Sequence, residues 1–526
     1  MVFCGKPSKG CAHCRTRRIK CDLLQPACSQ CLRAGKECPG YRDQLALMFR
    51  DENEKVVTKA TIPKAKAEPR KRPRGPSPGS RSESASPPSL SPGQVVFQHR
   101  IFPPTTLQDE GIRFFFCNYV NTGMENFKTR ADAAETAMFQ LLFRSESFSN
   151  AVSSVGYAGL SNVSKDPQHM LVARRKYAAS IQNIARALED VANSDLDATL
   201  KSVMLLAAFE IVNGTSRSIG VGSSWAVHIE GGAEILKMLA IKEPELLPRR
   251  RGWIQFVFAV YIKSLSKGEE APSTMHDWCE SCGKSMSSED APAISLAHIA
   301  YRFTNLHASI RNKTLLDSNL ILLEALTLDS ELEAWQKALP AKWRFTTTPA
   351  PDNMHFTFRG QKHTYEDMWV SRVLNNYRWV RILVNELLLV HMAQLGSFAS
   401  EYESQRERSL EIISRMASDI CICVSGTFFR TTPVPGARWT IPAMSGIFMV
   451  LFPLAVAGSA WGVSEELHCW VISVLEFIGN RMGISQATAM LDLIRLHRRA
   501  FEEDSDEFHT ISDLWIADAL SPSPRF

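Results

Sequence analysis

The chain has 526 residues, 45% of them hydrophobic, so it can bury a large core and is not a purely disordered protein. Its formal net charge of +5 hides a strong asymmetry. Residues 1–42 carry nine Lys or Arg against two acidic residues, residues 43–100 carry eleven against six, and the remainder is net acidic. The excess of basic charge in the first fifth of the chain predicts a polyanionic partner for that region.

The N-terminal region is also rich in cysteine, with seven of the thirteen cysteines before residue 39. The first residues lack the apolar segment of a secretory signal, which predicts a protein that is not secreted and whose cysteines are reduced. Under reducing conditions such clustering indicates metal binding rather than disulfides. Cys4 lies outside the regular spacing and is predicted to be a free thiol. Six cysteines follow the spacing C-x2-C-x6-C-x6-C-x2-C-x6-C, namely Cys11, Cys14, Cys21, Cys28, Cys31 and Cys38.

Six thiolates at this spacing fit two zinc ions. One tetrahedral zinc uses four thiolates, whereas two ions need eight ligand positions, which six cysteines supply if two of them bridge. The segments 11–21 and 28–38 share one pattern: a CxxC pair, a basic stretch suited to a short helix, and a closing cysteine. This repeat predicts a pseudo-twofold binuclear cluster. The alternative is that zinc only stabilises a small domain that binds protein instead of nucleic acid.

The spacing, with the intervening CRTRRIKCD and Pro26, resembles the fungal zinc binuclear cluster family of transcription factors. The resemblance implies that the first helix points its C-terminal end at a CGG triplet in the major groove of double-stranded DNA. It also implies two bridging cysteines and two further cysteines for each ion: Cys11 and Cys28 bridging, Cys14 and Cys21 on one ion, Cys31 and Cys38 on the other.

Basic residues around the cysteines are the predicted DNA contacts. Six thiolates and two zinc ions leave a net charge of about −2, so a cationic surround is needed to approach DNA. The resemblance implies that Arg17 and Arg18, near Lys20, are the base contacts, which suits guanine because Arg and Lys reach its O6 and N7. Four further side chains are predicted to pair with phosphates and to set the register. These are Arg15, Lys9, Lys36 and Arg42.

Residues 43–100 are predicted to be a linker that follows a DNA-binding domain at residues 1–42. A short helical piece over Arg42–Lys59 lacks the heptads of a coiled coil. The segment Pro69–Gly93 is too rich in Pro, Ser and Gly to fold by itself. A basic run is predicted to be a nuclear localisation signal, with a solvated linker as the alternative. It comprises Lys64, Lys66, Arg70, Lys71, Arg72 and Arg74.

Residues 101–500 are predicted to form an all-α domain. Apolar residues recur at helical spacing before Asn213-Gly214, a candidate C-cap, and again over Glu366–Met392. The uncharged stretch Trp439–Ser464 is interpreted as a buried core helix rather than a membrane span, since Pro453 falls within it. The pair Cys279 and Cys282 is predicted to lie in an ordinary loop.

The large domain resembles the family's fungal-specific regulatory region at His228–Lys237, Tyr365–Leu389 and Ile441–Ala460, which implies a helical regulatory domain. Residues 501–526 form an acidic tail with interspersed aromatic residues. Two interpretations stay open for it: a transcriptional activation segment, or a final surface helix that packs Leu514 and Trp515 on the core.

The sequence therefore predicts a mainly α protein made of a zinc module, a disordered linker and a large helical domain. The predicted function is zinc-dependent, sequence-specific regulation of RNA polymerase II transcription in the nucleus, with metabolic or secondary-metabolite genes as targets by family analogy. Expected partners are DNA, a homo- or heterodimer partner and coactivators, without a membrane. The alternatives are an adaptor protein and an enzyme, although the common catalytic and nucleotide-binding motifs are missing from the sequence.

Overall fold

The structure is a computed structural model, and it divides the chain into two compact units, Met1–Gly93 and Gln94–Phe526. The linker helix, the basic run and nearly all of the acidic tail lie outside the described residues. Those residues are 11–17, 19–22, 27–36, 38–39, 109–120, 138, 140–214, 224–243, 252–352, 354–366, 368–395, 402–427 and 446–502.

The first unit contains two five-residue helices, α1 (Ala12–Thr16) and α2 (Ser29–Arg33). Each helix begins directly after the first cysteine of its half of the repeat. The buried core in the described part of this unit consists of cysteine side chains alone. Its members are Cys11, Cys14, Cys28 and Cys31, with Cys21 and Cys38 packed against them.

The second unit is built from helices, as predicted. The helices, in chain order, are α3 (Glu110–Tyr119), α4 (Glu146–Ser164), α5 (Pro167–Glu189), α6 (Leu196–Asn213), α7 (Ser224–Lys242), α8 (Gly252–Lys267), α9 (Ser273–Ser285), α10 (Ala291–Arg311), α11 (Ser318–Lys337), α12 (Met368–Gln394), α13 (Glu403–Ser425), α14 (Ile447–Ser459), α15 (Glu465–Arg481) and α16 (Ser485–Glu502).

Two helix assignments made from the sequence are confirmed. Helix α6 ends at Asn213, and Gly214 follows in the left-handed conformation with φ of 57°, which glycine adopts without a steric penalty. At its other end Asp195 accepts a hydrogen bond from the Ala198 amide. Helix α12 covers the second predicted segment, displaced by two residues at each end.

Two features of the second unit differ from the sequence predictions. A two-stranded antiparallel sheet pairs β1 (Thr346–Pro349) with β2 (Gln361–Thr364), with Thr346 opposite Thr364. The segment with Cys279 is helix α9 rather than a loop, and its thiol is buried. Met275 and Cys279, four residues apart and both buried, form the apolar face of this helix.

Helices α12 and α14 form the interior of the second unit. Helix α12 is buried along nearly its whole length, including Asn375, Asn376, Arg381 and Asn385. Helix α14 is buried as predicted, with Pro453 inside it. Within the described ranges no helix has both the length and the apolar character required to cross a membrane.

The crossing of α3 and α4 depends on glycine. A Cβ at Gly156 would overlap the carbonyl oxygen of Gly111, so the two backbones touch at this point. Replacing Gly156 with alanine should therefore lower the free energy of unfolding by about 1–3 kcal/mol. The new methyl group would meet backbone atoms, which cannot move aside as easily as a flexible side chain can. Urea denaturation of the full chain, followed by far-UV circular dichroism, measures this change.

The matched control is Gly231→Ala in α7. Gly231 is exposed, and a Cβ there would meet nothing within 4 Å. Because alanine favours the helix more than glycine does, this variant should be as stable as the wild type or more stable by up to about 1 kcal/mol. A loss of similar size in both variants would contradict the proposed backbone contact.

Candidate zinc centre and nucleic-acid interface

The six cysteines of the repeat form two groups of four sulfur atoms. One group contains Cys11, Cys14, Cys21 and Cys28, and the other contains Cys11, Cys28, Cys31 and Cys38. Within each group the sulfur atoms all lie within 4.8 Å of one another. Cys11 and Cys28 belong to both groups, which is the arrangement that two bridging thiolates require.

The distances between sulfur atoms fit tetrahedral zinc. Cys28 Sγ lies 3.7 Å from both Cys11 Sγ and Cys14 Sγ, and Cys11 Sγ lies 3.6 Å from Cys31 Sγ. Zn–S bonds of about 2.3 Å at tetrahedral angles separate two sulfur ligands by about 3.8 Å. The donor set therefore fits a thiolate-bound metal without rearrangement of the fold.

The backbone positions the cysteines in the same way in both halves, which are offset by 17 residues. The amide of Cys14 donates to Cys11 Sγ at 3.5 Å, and the amide of Cys31 donates to Cys28 Sγ at 3.4 Å. Further along, the amide of Ile19 donates to the Cys14 carbonyl, as the amide of Lys36 does to the Cys31 carbonyl. The pseudo-twofold pattern of the sequence is therefore present in the hydrogen bonds.

The metal-free thiols resist ionisation. Desolvation by burial raises the pKa of Cys14, and hydrogen bonds with neighbouring thiols raise it further. Desolvation likewise raises the pKa of Cys31 to about 12. It also raises the pKa of Cys28, partly opposed by the Cys31 amide, which lowers it. Zinc must therefore displace protons when it binds, because the thiolate is the ligand.

Asp22 connects the two halves, a role that the sequence analysis missed. The amide of Ser29, the first residue of α2, donates to both carboxylate oxygens of Asp22 at 3.2 and 3.3 Å. The residue follows Cys21 in the sequence, so the contact joins the end of the first half to the start of the second. In the sequence, the only indication of this role is an acidic residue between the two halves, ahead of the cysteine that precedes α2.

The predicted DNA contacts are only partly within the described residues. Arg17, Lys20 and Lys36 have exposed side chains. Arg15 lies in α1, whereas Lys9, Arg18 and Arg42 lie outside the described residues. Arg33, which the sequence analysis did not select, is exposed in the last turn of α2.

The two halves carry different charge despite their common backbone. Four basic residues and no acidic one lie between Cys14 and Cys21, whereas two basic residues and one acidic residue lie between Cys31 and Cys38. With the 17-residue offset, Arg17 corresponds to Ala34 and Lys20 corresponds to Glu37. The first half is therefore the more cationic half.

Comparison with known proteins matches two family models to this chain. The fungal Zn(2)-Cys(6) binuclear cluster domain matches residues 9–46. The chain carries this binuclear zinc domain. The fungal specific transcription factor domain matches residues 114–284, within the helical unit. The family resemblance and the two zinc ions predicted from the cysteine spacing are thereby confirmed.

Similar curated proteins include the tropolone cluster transcription factor tropK of Talaromyces stipitatus, 53% identical over 32 residues, or 6% of each chain. White-opaque regulator 2 of Candida albicans is 50% identical over 44 residues, covering 8% of this chain and 10% of the relative. The transcriptional regulatory protein moc3 of Schizosaccharomyces pombe is 46% identical over 48 residues, covering 8% and 9%. The chain thus spans a tenth or less of each relative's length, and no solved structure matches it.

Proposed function

We propose that the protein is a sequence-specific, zinc-dependent DNA-binding transcription factor that regulates RNA polymerase II transcription. The supporting observation is the pair of four-sulfur groups that share Cys11 and Cys28, next to an exposed basic half. The relatives' names as transcription factors and regulators support the same function. In this proposal Cys14 and Cys21 complete one zinc site, and Cys31 and Cys38 complete the other.

The first half reads the bases. Helix α1 ends at Thr16, so Arg17 follows its C-terminal end directly, and Lys20 lies one residue before Cys21. Guanidinium and ammonium groups recognise guanine O6 and N7 in the major groove, which is compatible with the CGG-type triplet that the family resemblance implies, with Arg18 as the second base contact. Phosphate pairing is assigned to Arg15, Lys9, Lys36 and Arg42.

The remaining parts of the chain are assigned to regulation. The proposed domains are residues 1–42 for DNA binding, 43–100 as linker, 101–500 as the regulatory domain and 501–526 as the tail, although α16 continues to Glu502. The basic run of residues 64–74 directs the protein to the nucleus. A second copy of the chain or another partner contacts a further half-site, because one triplet alone gives too little affinity for DNA. Coactivators bind the tail. No catalytic role is assigned.

The test is selection of randomised DNA duplexes by the full, zinc-loaded chain at fixed, stated salt. Arg17→Ala should lose about 1–3 kcal/mol of discrimination at one base pair, because a base-edge contact disappears. Lys36→Ala, the matched control in the second half, should weaken binding to all sequences alike and reduce the salt slope by about 1. Quantitative gel shifts with matched and mismatched duplexes measure both effects.

The alternative function is an adaptor that binds protein through the zinc module. Salt-sensitive DNA binding without any sequence preference would favour the adaptor. The adaptor would also be favoured if Arg17→Ala, like Lys36→Ala, weakened binding to all duplexes equally.

A further inference from the structure

The helical unit contains a cavity of about 280 Å³ that is partly open to solvent. Among the described residues its walls come from α3, α6, α7, α8, α12, α14 and α16, and they are mostly apolar, including Phe115, Met204, Trp225, Phe256 and Phe448. This volume is close to the lower end of the range for small-molecule sites, and such sites combine apolar walls with a few polar groups.

Two buried glutamine side chains in the wall have donors without a partner. Gln255 is 6% exposed, and its Oε1 accepts a hydrogen bond from Asn376 Nδ2 at 3.2 Å. This bond fixes the orientation of the amide, and its Nε2 has no hydrogen-bond partner. Gln486 is 5% exposed, and its Nε2 also has no partner. Because a buried unpaired donor destabilises the fold, these amides favour a ligand that brings acceptor atoms.

Positive charge lies beside these donors. Arg372 precedes Asn376 by one helical turn on α12, so both side chains lie on the same face, and both line the cavity. The Arg372 guanidinium packs against Gly446, since a Cβ added there would lie 2.5 to 2.9 Å from its Nη2, Nε and Cζ atoms. No Asp, Glu or Lys occurs among the described residues of the wall.

The N-terminus of α14 contributes to the same wall. Gly446 is its N-cap, with φ of 71°, and no side chain caps this end of the helix. Phe448 and Met449 of the first turn line the cavity. The Met449 amide donates to the Gly446 carbonyl at 2.8 Å, and the positive end of the helix dipole favours an anion near this position.

We propose that this cavity binds a small lipophilic carboxylic acid. Arg372 and the Gln255 amide hold the carboxylate, Gln486 offers a further donor, and the aromatic and aliphatic walls hold the apolar body. The binding itself follows from the cavity alone. Its role as a regulatory input to transcription rests on the function proposed above.

The experiment is isothermal titration calorimetry on the full, zinc-loaded chain. The probes are decanoate and 2-naphthoate, with 1-decanol and 2-naphthol as neutral partners of similar shape. At least one carboxylate should bind with 1:1 stoichiometry. Arg372→Gln should weaken carboxylate binding about tenfold or more and change binding of the neutral partner by no more than about twofold, because only the charge-assisted contact is lost.

Three further variants control for folding and specificity. Arg495→Gln, at a partly exposed arginine outside the cavity, should bind the carboxylate like the wild type. Gln255→Leu should weaken it several-fold, and Ala208→Phe, which fills the cavity, should block both kinds of probe. Far-UV circular dichroism identifies a variant that has failed to fold. Among Arg372→Gln, Gln255→Leu and Ala208→Phe, the variants that do fold then decide the outcome.

The proposal is overturned if neither carboxylate binds the wild type, or if Arg372→Gln and Gln255→Leu both leave carboxylate binding unchanged. It is also overturned if carboxylate and neutral probes lose affinity equally in Arg372→Gln. DNA selection is measured separately on the same preparation. If the chain binds the acid but shows no sequence-specific DNA binding, the proposed ligand site stands and the proposed transcription factor function is wrong. A reporter gene behind the selected DNA site should respond to the acid with the wild type and not with Arg372→Gln.

Discussion

Replacing Cys28 with alanine should release both zinc ions, whereas replacing Cys38 should release one. Cys28 belongs to both four-sulfur groups, so its loss leaves each with three sulfur atoms. Cys38 belongs to one group, and the other keeps its full set of four. Structural zinc is held by four protein ligands, so a group reduced to three sulfur atoms should lose its ion during gel filtration.

Zinc content per mole of full-length chain, measured by mass spectrometry of the metal after gel filtration, tests this difference. Cys469→Ser is the control, since Cys469 is an exposed thiol in the helical unit and should leave two zinc ions. Cys28→Ala and metal chelation of the wild type should both abolish sequence-specific DNA binding. One ion retained in Cys28→Ala, with none in Cys38→Ala, would reverse the assignment of the bridging sulfur.

The second large effect is expected when Asp329 is replaced by alanine. Arg381 Nε donates to Asp329 Oδ1 at 2.9 Å, and the two side chains are 1% and 5% exposed. Asn385 Nδ2 donates to the same oxygen at 2.8 Å. Asp329→Ala removes the carboxylate that is hydrogen-bonded to the buried guanidinium and leaves only the more distant Glu333, whose Oε2 lies 3.8 Å from Arg381 Nη2. The free energy of unfolding should therefore fall by about 3–5 kcal/mol.

Urea denaturation with circular dichroism measures this loss. The double variant Asp329→Leu with Arg381→Met removes both charges and should recover most of the stability, because apolar packing can replace a buried ion pair. Glu331→Ala is the matched surface control, because it breaks an ion pair with Arg302 in which the Arg302 and Glu331 side chains are 41% and 39% exposed. This variant should lower the free energy of unfolding by less than about 1 kcal/mol. A loss in the double variant as large as in Asp329→Ala would contradict this account.

The zinc module was the part of the protein most accessible from sequence. Residue type and spacing together determine a thiolate cluster, so the six cysteines could be selected without a tertiary structure. The end of α6 was predictable for a similar reason, because the left-handed backbone conformation that often ends a helix favours glycine, here Gly214. The Asp22 contact was missed because it depends on how the two halves meet.

The interior of the helical unit could not be predicted in the same way. Apolar residues three or four apart located α12 but indicate one apolar face, whereas the helix is buried on all sides, including Arg381 and Asn385. Strands β1 and β2 have four residues each, too few for alternation to be recognised. The cavity brings Gln255 and Gln486 to a common wall from distant helices, and no local pattern encodes such a meeting.

The all-cysteine core of the first unit separates stability from recognition. In the described part of this unit the buried side chains are the metal-binding sulfur atoms, so Arg17, Lys20, Arg33 and Lys36 contribute no packing to it. On the function proposed above, substitutions at Arg17 and Lys20 would change the preferred DNA sequence at little cost in folding free energy. A domain stabilised by metal in this way can acquire new targets by single mutations, since each trial of a new surface leaves the fold intact.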